Sequence, residues 1–185
     1  MKKFIVFEGI DGCGKTTLSK NFATTLNCLW TKEPTFSSEQ ADLLNLKSKN
    51  KVEREVEFAI DRIKHGTEIV SCDSDVVCDR YIWTGLAYCL KYNESAFEFV
   101  KALYAHDFFL KPDYYIFVDT PVEICYQRSL GRTGASPQSL EDLKNIRDCF
   151  LVTREIIERT SKVFVIQAIG DSNILINNVL KEINK

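Results

Sequence analysis

Phe4-Ile5-Val6-Phe7-Glu8-Gly9-Ile10-Asp11-Gly12-Cys13-Gly14-Lys15-Thr16-Thr17 is the stretch on which the reading of this chain turns. Four apolar residues in a row, Phe4 to Phe7, leave no polar face, the habit of a strand covered on both sides. Leu18, Phe22 and Leu26 then recur every four residues, the spacing of an amphipathic helix. Between strand and helix, residues 9 to 16 fit G-x-x-x-x-G-K-[ST] at every fixed position. Glycines in such a turn let backbone N–H groups converge on phosphate oxygens, and the helix N-terminus adds its partial positive charge. Gly9, Ile10, Asp11, Gly12, Cys13, Gly14, Lys15, Thr16 and Thr17 are thus the expected cradle of a nucleoside triphosphate. Lys15 is expected to reach the β- and γ-phosphates, and Thr16 to ligate Mg²⁺.

Outward from this stretch, the pattern repeats. Val76-Val77-Cys78, Tyr114 to Val118 and Val163 to Ile166 are further continuous apolar runs, with Cys28-Leu29-Trp30-Thr31 a weaker fifth. Helical spacings separate them: Val52, Val56, Ile60 and Ile63; Ser95 to Leu110, ended by Lys111-Pro112; Leu143, Ile146 and Phe150; Ile176, Leu180 and Ile183. Thr120-Pro121-Val122-Glu123 reads as a helix start with a capping box. Alternating strands and helices predict an α/β domain, a doubly wound five-stranded parallel sheet with helices on both faces. The 185 residues suit one domain spanning residues 1–185, with the Gly/Ser/Thr-rich segment of about 129–139 as a short lid.

Composition excludes other classes. With 24 basic and 26 acidic residues the net charge is −2, which provides no broad basic surface for nucleic acid or acidic membrane. Glu8 interrupts the first apolar run, and no stretch approaches the roughly 20 apolar residues that span a bilayer. Seven cysteines form no C-x-x-C pair and only two histidines accompany them, so neither a disulfide framework nor a zinc set is expected. The chain reads as cytoplasmic. GTPases need an N-K-x-D and ABC ATPases an L-S-G-G-Q; neither is present. Small-molecule kinases remain.

The second strand with chemistry at its end is Val76-Val77-Cys78-Asp79-Arg80-Tyr81. Ligands of open α/β sheets sit beyond the carboxyl ends of the strands, so Asp79 and Arg80 should face the glycine loop. There Asp79 would hold the Mg²⁺ shell and Arg80 would clamp a phosphoryl group.

With these residues in place, the chain resembles the thymidylate kinase family, whose members phosphorylate dTMP to dTDP with ATP and Mg²⁺. Phe7-Glu8-Gly9-Ile10-Asp11-Gly12 through Thr17 looks like F-E-G-x-D-G-x-G-K-T-T, and Thr31-Lys32-Glu33-Pro34 looks like T-R-E-P with Lys for Arg. Phe58-Ala59-Ile60-Asp61-Arg62 is similar to F-x-A-x-R; Asp79-Arg80-Tyr81 with Gly85 to Tyr88, and Lys111-Pro112-Asp113 with Asp119-Thr120-Pro121, match later motifs. The resemblance implies a nucleotide-kinase version of the P-loop NTPase fold. It implies that Phe58 stacks on thymine, Arg62 bonds a base carbonyl, Asp11 accepts from the sugar 3′-OH and Tyr88 crowds the 2′ position. Arg80 would bind the acceptor phosphate, Pro34 and Phe36 would wall the base pocket, and Glu33 and Gly85 would lie beside it. On spacing alone, Phe58 and Arg62 read as a core aromatic and a solvated arginine.

Two departures bear on catalysis. The resemblance implies a catalytic arginine in the loop or in the lid; Gly12 follows Asp11, so the loop has none, and the lid candidates are Arg132 first and Arg128 second, with Arg147 a weaker third. Lys32 cannot make the bidentate contacts of the arginine it replaces. A homodimer is what the resemblance implies. The rival readings are another deoxynucleotide or deoxynucleoside kinase, or a nucleotide-binding regulator that has lost catalysis.

Overall fold

The computed structural model describes residues 2–37, 51–131 and 138–183. Five strands form a single all-parallel sheet in the order β2-β3-β1-β4-β5. They are β1 (Phe4–Glu8), β2 (Leu29–Lys32), β3 (Val76–Asp79), β4 (Tyr114–Val118) and β5 (Lys162–Ile166). Among the described residues seven helices accompany them: α1 (Lys15–Leu26), α2 (Lys51–Ser71), α3 (Ile82–Tyr92), α4 (Glu94–Ala105), α5 (Val122–Leu130), α6 (Leu140–Glu158) and α7 (Ser172–Ile183). All five expected strands are present, the edge strand β2 one residue later than its apolar run suggests.

Burial follows position in the sheet. β1 and β3, with strands on both sides and helices above and below, are buried throughout, whereas the edge strands β2 and β5 are only half-covered. That is why β1, β3 and β4 are continuously apolar; β5 carries a similar run at an edge, where Val165 is left exposed. Helix α1 packs against α7, while α3 packs against α4 and α6. Trp83 anchors the second group: its ring stacks on Phe117 at 5.0 Å, and its indole N–H donates to Phe150 O at 3.0 Å and Thr153 Oγ1 at 3.1 Å. A buried indole needs such a partner, and here two are supplied.

Three local expectations are corrected. The helix expected from Ser95 to Leu110 stops at Ala105, because Lys111 Nζ folds back onto the carbonyls of Tyr104 (2.6 Å) and His106 (3.2 Å) and satisfies the helix end. The capping box at Thr120 and Glu123 does not form: Pro121 is the N-cap of α5, and the Thr120 hydroxyl is engaged elsewhere. The third concerns α2. Its apolar residues Val52 and Ile60 are exposed, and Val56 and Ile63 only partly covered, while Glu55, Ala59, Arg62, His65 and Ile69 turn inward. The apolar stripe therefore faces out, because the inner face of α2 walls a polar cavity.

Candidate active site

The glycine loop adopts the backbone its residues predict. Gly12 has φ +81° and lies so close to α5 that an added Cβ would fall 2.1 Å from Cys125 O; Gly14, φ +100°, is the N-cap of α1. No side chain fits either position without displacing backbone. Lys15, only 4 % exposed, runs back along the loop, its ammonium donating to Ile10 O at 3.1 Å and lying 3.6 Å from Asp11 Oδ1. The buried Thr120 hydroxyl donates to Cys13 O at 2.8 Å and accepts from the Ala168 N–H at 3.0 Å. One side chain thereby ties the glycine loop, the end of β4 and the loop after β5 together. Cys13 itself is fully buried and burial pushes its thiol pKa up, so it is a poor target for alkylation despite its place in the loop.

Next to this loop stands the tip of β3. Phe7 pairs with Asp79, which sets the two strand ends side by side. The Thr16 hydroxyl donates to Asp79 Oδ2 at 2.5 Å, while Asp79 Oδ1 is buried and has no hydrogen-bond partner among the described residues. A buried carboxylate oxygen without a donor, beside a hydroxyl, suits a cation that is shared with a phosphate. Arg80 follows at φ +74°, an uncommon conformation for a residue with a side chain and one that concentrates at functional sites. Its guanidinium pairs with Asp11, donates to Thr84 Oγ1 at 3.4 Å and lies 5.8 Å from the centre of the Tyr88 ring. Burial works against its charge, but Tyr88, Asp11 and Asp79 outweigh this and hold the guanidinium above its ordinary range. Tyr88, its hydroxyl 3.5 Å from Asp11 Oδ2, has its pKa pushed up to about 12 by burial.

Glu8 explains why this tip is held so firmly. Its fully buried carboxylate accepts from the Tyr81 N–H (2.8 Å), the Thr84 N–H (3.1 Å) and the Thr84 hydroxyl (2.5 Å), capping α3 from a neighbouring strand. Burial raises its pKa, and the bonds from Thr84 pull against that rise. The sequence signal was a lone acid inside an apolar strand end; its partners lie more than seventy residues away.

Between α2, α3 and the two strand tips is a cavity of about 400 Å³. Asp11, Glu33, Pro34, Phe58, Arg62, Arg80, Gly85 and Tyr88 all line it, so eight of the nine expected acceptor residues come together. The ninth, Phe36, packs on Phe58 with ring centres 5.4 Å apart. Thr84, Arg54, Glu55 and Tyr92 also line the cavity and were not foreseen.

Arg62 is not a solvated side chain. It is 4 % exposed, donates from Nε to Glu33 Oε2 at 2.6 Å and from Nη1 to the Tyr104 hydroxyl, and its guanidinium lies 4.9 Å from the centre of the Tyr104 ring. Burial opposes its charge, but Glu33 more than offsets this and keeps the guanidinium above its ordinary value. The other Glu33 oxygen meets His65 Nδ1 at 2.9 Å, and His65 Nε2 meets Thr31 Oγ1 at 2.8 Å. Glu33 is thus the counter-ion that aims Arg62. Gly85 belongs to the same device: a Cβ there would come within 3.0 Å of Arg62 Nη1 and of Tyr104.

On the other side of the glycine loop a second cavity, about 330 Å³, is lined by Gly12, Gly14, Thr17, Arg128, Ala168 and Gly170 among others. Arg128 donates from Nη2 to Ala168 O at 2.9 Å and so forms part of its wall. Arg147 makes a bidentate pair with Asp119 (2.6 and 2.8 Å) at the end of β4 and lines neither cavity. Arg132, and residues 132–137 of the expected lid, lie outside the described residues.

A nucleoside-sized cavity on each side of one phosphate cradle, with cationic side chains where they meet, is the arrangement of a nucleotide kinase of the P-loop type. Comparison with known proteins narrows the class. The thymidylate kinase family model matches residues 7–179. A probable thymidylate kinase of Methanocaldococcus jannaschii is 33% identical over 171 residues, covering 86% of this chain and 88% of the relative. One from Methanococcus maripaludis is 33% identical over 153 residues, covering 80% and 75%. Among solved structures, a thymidylate kinase from Candida albicans superposes with a TM-score of 0.76 at 20% identity, covering 99% of this chain and 91% of that one. A deoxyadenosine kinase from M. mycoides gives 0.77 at 16% identity, covering 98% of each chain; at these identities both speak for the fold alone. The chain belongs to the thymidylate kinase family, the enzymes that phosphorylate dTMP, and that phosphorylation is its reaction.

Proposed function

We infer that ATP is the phosphoryl donor, held by residues 9–17 with its nucleoside in the cavity bounded by Arg128 and Ala168. dTMP is the acceptor, in the cavity between α2 and α3. The observation that carries this reading is the meeting of the two strand tips, Thr16 on Asp79 and Asp11 on Arg80, at the boundary between the two cavities. Phosphoryl transfer asks a protein for alignment and charge stabilisation and little else, and those are what this boundary offers.

Residue by residue, Lys15 leaves Ile10 O for the β- and γ-phosphates, and Arg80 takes the acceptor phosphate. Asp11 accepts from the sugar 3′-OH and Tyr88 closes the space at the 2′ carbon. Phe58, backed by Phe36 and flanked by Pro34, stacks on the base, and Arg62 donates to a base carbonyl. Mg²⁺ fits the donors present, with Thr16 and the unpartnered Asp79 oxygen as its protein-side groups. When bound, it would neutralise charge on the donor phosphates. Arg128 and, from the lid, Arg132 supply the remaining positive charge around the transferred group.

Seven free thiols suit the reducing cytoplasm, and no described helix is long and apolar enough to cross a membrane. The outward apolar stripe of α2, with Val52, Ile60 and Val70 exposed, gives a homodimer its contact; light scattering giving twice the chain mass would support it, and the single-chain mass would remove it.

The test is an acceptor panel with ATP and Mg²⁺ in a coupled assay for ADP. dTMP should turn over faster than thymidine or dGMP. Faster turnover of thymidine would make the chain a nucleoside kinase, and binding of ATP and dTMP without ADP formation would make it a regulator.

A further inference from the structure

Glu55 is an acid where the fold has no evident need of one. It is 5 % exposed, lies on the inward face of α2 and lines the acceptor cavity together with Phe58 and Arg62. Nothing among the described residues hydrogen-bonds its carboxylate. Its one ionic contact is Arg54 Nη2 at 3.8 Å, from the neighbouring residue, whose own buried Nε is also without a partner. Burial raises the Glu55 pKa, and the positive charges of Arg54 and Arg62 work against the rise. The carboxylate thus stands at the cavity wall with no hydrogen-bond donor from the described residues, a position in which a bound molecule can supply one.

The helix says which part of the molecule that donor belongs to. Glu55 precedes Phe58 by three residues and Arg62 follows it by four, so all three share one face, with Glu55 and Arg62 roughly 10 Å apart along the axis. Phe58 lies between them on the wall of one cavity, so a base stacked on it would have both side chains on the same wall. Glu33 and Tyr104 commit Nε and Nη1 of Arg62, which turns the remaining guanidinium edge, a donor only, toward the cavity. Glu55, as carboxylate, is an acceptor only.

We propose that Glu55 is a specificity-determining residue that accepts a hydrogen bond from the N3–H of the acceptor base, so that Arg62 and Glu55 together read a carbonyl oxygen beside an N–H. Thymine and uracil present that edge. Cytosine presents the reverse, an exocyclic amine beside a bare ring nitrogen, and meets donor with donor and acceptor with acceptor. The pair selects keto pyrimidines by repelling the amino pyrimidine as much as by binding the right one.

This rests on the acceptor assignment above, and the experiment separates the two. With wild-type enzyme, ATP and Mg²⁺, kcat/KM is measured for dTMP, dUMP, dCMP and dTMP methylated at N3, and again for dTMP, dUMP and dCMP with Glu55→Gln. Loss of one charged hydrogen bond predicts a fall of about 10- to 100-fold for N3-methyl-dTMP on the wild type, and for dTMP and dUMP on the variant. Glutamine can turn its amide toward cytosine, so the dTMP:dCMP ratio should fall at least tenfold while KM for ATP holds. Equal factors for dTMP and dCMP would reduce Glu55 to a structural acid and overturn the proposal, as would undiminished turnover of N3-methyl-dTMP, which needs no variant. A wild type inactive on dTMP would sink the acceptor assignment and this proposal with it.

Discussion

Helices α1 and α2 open the two halves of the site and bury opposite kinds of face. α1 buries Leu18, Phe22 and Ala23 in the core and offers the donor its N-terminus. α2 buries Glu55, Arg62 and His65 toward the acceptor and leaves Val52 and Ile60 outside. The difference follows from what does the binding. In the assignment proposed above, the triphosphate meets mostly backbone N–H groups in a glycine turn, so the side chains of α1 remain free to pack. The acceptor meets side chains, so the inner face of α2 must be polar, and Arg62 takes its counter-charge from Glu33 on another element.

The contrast can be broken most directly at Lys15. Lys15→Ala removes the cation that the glycine loop itself supplies through a side chain; kcat should fall by at least about 10³-fold, with thermal unfolding within a few degrees of wild type. An active Lys15→Ala enzyme would mean that the cradle does not hold the reacting phosphates. On the acceptor half, Phe58→Ala should raise KM for dTMP by about 5- to 100-fold, as loss of base stacking does, and leave KM for ATP within twofold. Parallel rises in both would show that the two cavities are not the separate sites assigned to them.

Glu33→Gln probes the counter-charge. Gln cannot neutralise Arg62, so KM for dTMP should rise by about tenfold and unfolding free energy drop by roughly 3 kcal/mol, as for a broken buried ion pair. A variant with full stability and full affinity would show that Tyr104 alone aims Arg62. The smallest effect is expected at Glu8. Its folded pKa is raised, so the folded state holds that proton more tightly than the unfolded chain, and the stability this lends is present at low pH and lost as pH rises past the folded value. Urea unfolding should therefore find wild type losing ground against Glu8→Gln as pH climbs above about 4.5, by at most about 1.4 kcal/mol per pH unit until the folded value is passed. A gap that widens the other way would mean that the bonds from Tyr81 and Thr84, rather than burial, dominate at Glu8.

Legibility divides along the same line. Three of the four continuous apolar runs became central strands, with a neighbour on each side and helix layers over them; the fourth, Val163 to Ile166, became the half-covered edge strand β5. The nearly exposed edge β2 gave a weaker signal and was misplaced by one residue. In the glycine loop, motif and backbone agree because φ > 0 at Gly12 and Gly14 is a property of those residues themselves. By contrast, Thr120 looked like a helix cap and straps the loop instead, and Arg147 looked like a spare catalytic arginine and pairs with Asp119. Glu33 looked like a neighbour of the substrate and is the counter-ion of Arg62. In each case the side chain's chemistry was read correctly and its partner was not, since the partner lies tens of residues away.

From its residues alone the chain determined a parallel α/β sheet, a glycine loop with positive φ after β1 and an Asp-Arg pair after β3, because local periodicity and glycine conformation are short-range properties. Which face of α2 turns inward, which carboxylates meet which guanidiniums, and that Glu55 faces the acceptor cavity with no hydrogen-bond donor among the described residues were decided only by packing. Desolvation and charge pairing act through space, and they set those positions without regard to distance along the chain.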